Sequence, residues 1–166
     1  GNKMLFFNTW FMHYLQDLRG GFSHAATLGY TRDVDLFECK LVFIPINVNN
    51  THWTLAVIGV ETKTIQYFDS LGSSGERYLE ALRRYIIEEY AHKHPGGQLD
   101  WSAWRLIRGT TRTPQQANGC DCGVFVLCTV YLMAFGLMPA FTQADIPGFR
   151  YRVAYSILQG RLFADL

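Results

Sequence analysis

Residues 52–70 read HWTLAVIGVETKTIQYFDS, and the fold class turns on them. WTLAVIGV (53–60) is an apolar, β-branched run of strand length, and TIQYFDS resumes the pattern after Glu61, Thr62 and Lys63. Two such runs around a short polar turn predict a β-hairpin. Upstream, LVFIPI (41–46) predicts a buried strand ending near Pro45, where a backbone N–H is missing. WRLIR (104–108) alternates weakly and predicts a further short strand. The opening MLFFNTWFMHYLQDL (4–18) is apolar and fits either a helix or irregular packing.

Three helices surround these strands. Glu76 to Lys93 places Leu79, Leu82, Ile86 and Tyr90 three and four residues apart, one apolar stripe beside a charged face. Cys122 to Phe135 is apolar nearly all round, as a central buried helix is, and Gly136 and Pro139 end it. In the last helix Pro147 fits the first turn, with Phe149, Val153 and Ile157 along one side. Strands gathered in the middle with helices outside predict an α+β fold with a small mixed or antiparallel sheet, not alternating βαβ units. A length of 166 residues predicts one domain, 1–166.

Composition narrows the function. Only 17% of residues are charged and the formal net charge is +1, so neither nucleic acid nor an anionic membrane is indicated as a partner. Val124 to Met138, the longest apolar run, falls short of the ~20 residues that span a bilayer. Four cysteines, three of them crowded between 120 and 128, do not form a secreted disulfide framework and fit a reducing, intracellular setting. The gap between Cys120 and Cys122 is too short for a structural zinc site, and His92 and His94 are the one other close pair. No metal and no cofactor are expected.

The two close thiols lie in PQQANGCDCGVFV (114–126). Asp121 has a side chain suited to capping the apolar helix that follows. Cys122 then stands at that helix's N-terminus, where free N–H groups and the dipole favour a thiolate, whereas Cys120 stays in the loop. A nucleophilic cysteine needs a base, and the base an orienting group. His13 and His24 fall in the unpatterned N-terminal segment, and His92 and His94 in a solvated helix tail. His52 directly precedes a strand. A hairpin centred near 61–63 pairs position 52 with a residue just beyond 70, so His52 and Asp69 can lie side by side. The residues alone leave blander roles open: Cys122 as a small buried apolar side chain, His52 as a loop residue, Asp69 as a turn former and Trp53 as core.

Taken in order, FNTWF, VFIPINVNNTHWTLAVI, TIQYFDSLG, WRLI, TPQQANGCDCGVFV and FTQADIPGFRYRVAYSILQGRL resemble the catalytic domain of the Ulp1/SENP family of SUMO-specific cysteine proteases. The resemblance covers nearly the whole chain and implies a papain-like arrangement. By position it implies Cys122 as nucleophile, His52 as general base, Asp69 as the group that orients His52, and Gln116 as oxyanion donor. It also implies Trp53 as one wall of a narrow channel for a modifier's Gly-Gly tail, with Gln115 structural. The family carries a W-L-x-D helix ahead of FNTWF, whose tryptophan forms the opposing wall. This sequence opens at Gly1-Asn2-Lys3 and does not include it. The implied activity is hydrolysis after the Gly-Gly of a SUMO-like modifier, by a nuclear, monomeric enzyme whose partners are the modifier and its conjugates. A deneddylase or deubiquitinase would share the chemistry. An acetyltransferase and a non-enzymatic SUMO-binding module are the remaining alternatives.

Overall fold

Five strands form one mixed sheet in chain order: β1 (Met4–Phe6), β2 (Leu41–Val48), β3 (His52–Gly59), β4 (Thr64–Phe68) and β5 (Arg105–Ile107). Four α-helices accompany them: α1 (Phe11–Leu15), α2 (Glu76–Lys93), α3 (Cys122–Ala134) and α4 (Ile146–Gln159). The computed structural model describes residues 3–16, 21–110 and 113–161. Asp17 and Leu18 of the apolar opening stretch, and Leu162 of the closing one, lie outside them. Strands β2, β3 and β4 are antiparallel, and the edge strands β1 and β5 run parallel to their neighbours.

The continuous apolar reading of β3 has a physical cause: both sheet faces are covered. Val42, Ile44 and Ile46 of β2, Ala56 and Ile58 of β3, and Ile65 and Tyr67 of β4 face α1 and α2, meeting Phe11, Leu15, Leu79, Leu82, Tyr85 and Ile86. Phe43, Leu55, Val57 and Phe68 alternate onto the other face, where Val126, Val130 and Met133 of α3 pack. The far side of α3 meets Phe141 and Ile146 through Phe125, Cys128 and Leu132. Being covered by a sheet and by a helix explains its all-round apolar sequence. It is not buried all round, however: Leu127 is 48% exposed. At about 1.5–3 kcal/mol for each fully buried large apolar side chain, these contacts fix where the first turn of α3 meets the end of the sheet. Among the described residues no helix is long and apolar enough to cross a membrane.

Several expectations are corrected. Strand β2 does not end near Pro45 but runs on to Val48, with Pro45 opposite Leu55. Strand β1 pairs only with Leu41–Phe43, so β2 has a free edge at Pro45 where no donor is missed. The apolar opening contains an edge strand followed by a short helix. In α4 the inward stripe passes through Ile146, Phe149, Val153 and Ser156, and Ile157 is 75% exposed. The charged face of α2 is not wholly solvated, because Glu89 is fully buried and bonds His24 Nε2 at 2.6 Å. His94 likewise leaves solvent in part, 3.1 Å from Asp35 and against Phe37 and Tyr90.

Candidate active site

His52 and Asp69, the candidate base and its candidate orienting group, come from the β3–β4 hairpin. Residues 49–51 turn β2 into β3 with Asn49 and Asn50 left-handed (φ 52° and 57°), a conformation asparagine tolerates. This sets Val48 opposite His52. A slip of one residue would move His52 to the other face. Across the hairpin Leu55 pairs with Phe68. Continuing that register sets position 54 against 69, which makes His52 and Asp69 diagonal neighbours on one face. His52 Nε2 and Asp69 Oδ1 are 2.7 Å apart, with side chains 14% and 4% exposed. A carboxylate only accepts, so Nε2 carries the proton and Nδ1 keeps the lone pair. Leu71 N also donates to Asp69 Oδ1, at 2.8 Å.

Helix α3 brings the thiol to the same end of the sheet. Its second residue, Gly123, faces Trp53: a Cβ there would sit 3.6 Å from Trp53 Cδ1, in ordinary contact. Cys122 opens the helix and is buried, while Cys120 is exposed with Sγ near Asn118 Oδ1 at 3.6 Å. The first intrahelical bond is Val124 N to Asp121 O, at 2.8 Å, so the N–H groups of Cys122 and Gly123 precede the ladder. Among the described residues Cys122 Sγ and His52 form no hydrogen bond. Burial pushes the Cys128 thiol up to about 12 and raises that of Cys39, consistent with packing roles for both.

Asp121 sits at the capping position, but its side chain does not cap α3, contrary to expectation. Its carboxylate instead accepts from Asn118 Nδ2 (2.6 Å), Gln143 Nε2 (2.8 Å) and the Arg150 guanidinium. Hydrogen bonds from Arg150, Asn118 and Gln143, in that order, pull the carboxyl down to about 2. Three donors from the preceding loop and from the α4 region outcompete the helix's own N–H groups. Gln143 Oε1 also accepts from Ala117 N at 2.8 Å, and a capping box of Thr142 and Asp145 fixes the turn that presents Gln143.

The loop carrying Gln116 is fastened to the end of β4. Gln116 N donates to Ser70 O at 2.9 Å, and Ser70 Oγ donates to Gln116 Oε1 at 2.5 Å. Gln116 Nε2 donates to Asn118 O. Gln115 turns the other way, its Nε2 donating to the Asp69 carbonyl (3.0 Å) and to Thr113 O (3.1 Å). One tie thus holds the loop through Asp69 and another through Ser70.

Against known proteins, the family model of the Ulp1 protease family, C-terminal catalytic domain, matches residues 2–162. The chain belongs to the Ulp1 protease family. It is 38% identical over 161 residues to ubiquitin-like-specific protease 1A of Arabidopsis thaliana, covering 95% of this chain and 32% of that protein. It is 34% identical over 164 residues to a sentrin-specific protease of Caenorhabditis elegans, covering 99% of this chain and 22% of that one. Among solved structures, the C-terminal Ulp1 protease domain in complex with Smt3, the yeast ortholog of SUMO, superposes with a TM-score of 0.78 at 29% identity. That match covers 94% of this chain and 68% of the other. The chain therefore spans about a fifth to a third of the length of these two relatives.

Of the residues singled out from the sequence, the structure joins His52 to Asp69 directly, seats Trp53 against the first turn of α3, and ties Gln116 to the residue after Asp69. Three further residues at this end of the sheet had no signal of their own. Ser70, Gln143 and Arg150 are polar or charged side chains in unremarkable local patterns. Their partners lie in other elements, and only tertiary structure brings them together.

Proposed function

We propose that this member of the Ulp1 family is a cysteine protease that hydrolyses the bond after the C-terminal Gly-Gly of a SUMO-like modifier. The bond is an isopeptide to lysine or a peptide in the modifier's precursor. The observation that carries the reading is the 2.7 Å His52–Asp69 bond at the sheet end where Trp53 meets the helix that opens with Cys122. His52 Nδ1 accepts the Cys122 proton, and the sulfur attacks the carbonyl of the second glycine. The resulting oxyanion takes hydrogen bonds from Gln116 Nε2 and from the N–H at the start of α3. Collapse expels the amine, which leaves with the proton held on His52, and a thioester remains on Cys122. Water, deprotonated by His52, then attacks the thioester and releases the modifier's carboxylate and the thiol. Asp69 holds the imidazole in the tautomer that can accept and stabilises it once charged.

Trp53 narrows the approach, and glycines, having no side chains, pass where other residues would meet the indole. The names of the relatives, and the SUMO ortholog bound to the yeast domain, support a SUMO-like substrate. Nuclear residence belongs to the same proposal. A SUMO C-terminal vinyl sulfone is expected to label Cys122 and leave Cys120 untouched, as read by peptide mass mapping. Labelling that persists in Cys122→Ser overturns the assignment. The same trap built on ubiquitin or another ubiquitin-like protein reads the choice of modifier.

A further inference from the structure

We propose that Ser70 is a positioning residue that holds the Gln116 carboxamide, in the orientation the Asn118 carbonyl sets, toward the reacting carbonyl. The inference rests on the reading of Gln116 as oxyanion donor. A glutamine amide has nearly the same shape either way round, so the pattern of donors and acceptors around it must choose its orientation. Asn118 makes that choice and Ser70 holds the result. Asn118 O is an acceptor without a proton, and it takes one N–H of Gln116 Nε2. Ser70 Oγ lies 2.5 Å from Gln116 Oε1 and donates to it. Turning the amide over would set Oε1 against the Asn118 carbonyl, two acceptors facing each other. Asn118 O sets the observed orientation; the Ser70 hydroxyl, able to donate or accept, adds a donor to Oε1 and fixes the amide's position. The second N–H of Nε2 then remains for the substrate.

Burial sharpens the argument. Ser70 is only 6% exposed, so water does not compete for its hydroxyl. Its carbonyl accepts Gln116 N at 2.9 Å, so one residue holds position 116 by main chain and side chain together. The residue before it, Asp69, holds His52. Adjacent positions at the end of β4 therefore set the base and the oxyanion donor in register with each other. A displacement of this strand end moves both groups as a unit.

The test is a double-mutant cycle on Ser70→Ala and Gln116→Ala, with Ser70→Thr as the variant that keeps the hydroxyl. The substrate is SUMO carrying an aminomethylcoumarin amide on its C-terminal glycine, and rates are normalised to sites titrated with the vinyl sulfone, so unfolded protein does not count. Losing one oxyanion donor costs about 10²–10³ in kcat. A donor still present but held at one end only is expected to lower kcat about tenfold, with KM unchanged, and Ser70→Thr is expected to recover most of it. In the Gln116→Ala background, Ser70→Ala is expected to change kcat by less than about twofold, because its effect passes through the missing amide. Additive losses, or a wild-type kcat in Ser70→Ala, overturn the inference while leaving Gln116 as donor. A wild-type kcat in Gln116→Ala overturns the oxyanion reading itself, and this inference with it.

Discussion

Asp69→Asn tests how the His52 couple works, because the structure predicts a small effect where a large one is the usual expectation. Replacing a carboxylate by an amide beside a histidine costs about 10⁴-fold when the amide presents its NH₂ and forces the wrong tautomer. Here that orientation is blocked. Leu71 N donates to the same Oδ1 that meets His52 Nε2, at 2.8 and 2.7 Å. The carboxamide introduced by Asp69→Asn must therefore turn its oxygen toward both donors, which keeps the proton on Nε2 and the lone pair on Nδ1. What is lost is charge. A hydrogen bond to a charged partner contributes about 1.5–3 kcal/mol against about 0.5–1.5 for a neutral one. The difference, about 1–1.5 kcal/mol, lowers kcat about tenfold. Asp69→Ala removes orientation as well and leaves Nε2 unpaired in a site where His52 is 14% exposed, a loss of roughly 3 kcal/mol or about 10²-fold. Steady-state hydrolysis of the coumarin substrate measures both variants. An Asp69→Asn enzyme as slow as Asp69→Ala, or slower, refutes the reasoning.

Three further predictions concern stability. Gly75 is left-handed (φ 69°), and an added Cβ would lie 2.2–2.6 Å from the ring of Tyr67, a buried side chain anchored to Thr54 Oγ1; Gly75→Ala is expected to cost about 2–5 kcal/mol, read as a fall in Tm. His24→Leu strands the fully buried Glu89 carboxylate and should cost about 3–5 kcal/mol in urea unfolding, most of it recovered in the His24→Leu/Glu89→Leu double variant. The Asp121 carboxyl is held at about 2, below the ordinary 3.8, so its contribution is present above pH ~4 and lost as pH falls toward ~2. The stability gap between wild type and Asp121→Asn, followed by denaturant titration, is expected to close over that window; a gap independent of pH contradicts it.

The hairpin was legible because its information is local. A run of apolar residues, a short polar turn and a second run specify both the pairing and the offset that brings position 52 near 69. Helix α2 was legible for the same reason, since its period and length are written in consecutive residues. Strand β1 was not, because three residues, Met4–Phe6, carry no period and its partner lies 37 positions away at Leu41. In α4 the spacing of Phe149, Val153 and Ile157 predicted one face, but packing against α3 and Phe141 rotated the inward stripe onto Ser156. Asp121 is the instructive case within the site. Locally it is a sound capping residue, and its diversion to Arg150 and Gln143 depends on a helix that begins 25 residues later. The candidate catalytic set was readable by residue type and resemblance, whereas the residues that hold it in place were not.

The two halves of the candidate site are expected to reach their positions on different schedules. His52 and Asp69 are 17 residues apart on one hairpin, a unit that closes in about 1–10 μs. Cys122 arrives only when α3 docks across the sheet, and its loop is pinned by residues as distant as Arg150. Contacts of that separation form late, because chain closure must precede them. The His52–Asp69 pair therefore rests on local contacts, whereas the placing of Cys122 beside it rests on contacts with the C-terminal helix. Refolding followed by trap labelling should accordingly lag behind refolding followed by sheet formation. On the proposed function, trap reactivity is therefore expected to be the last property regained on refolding.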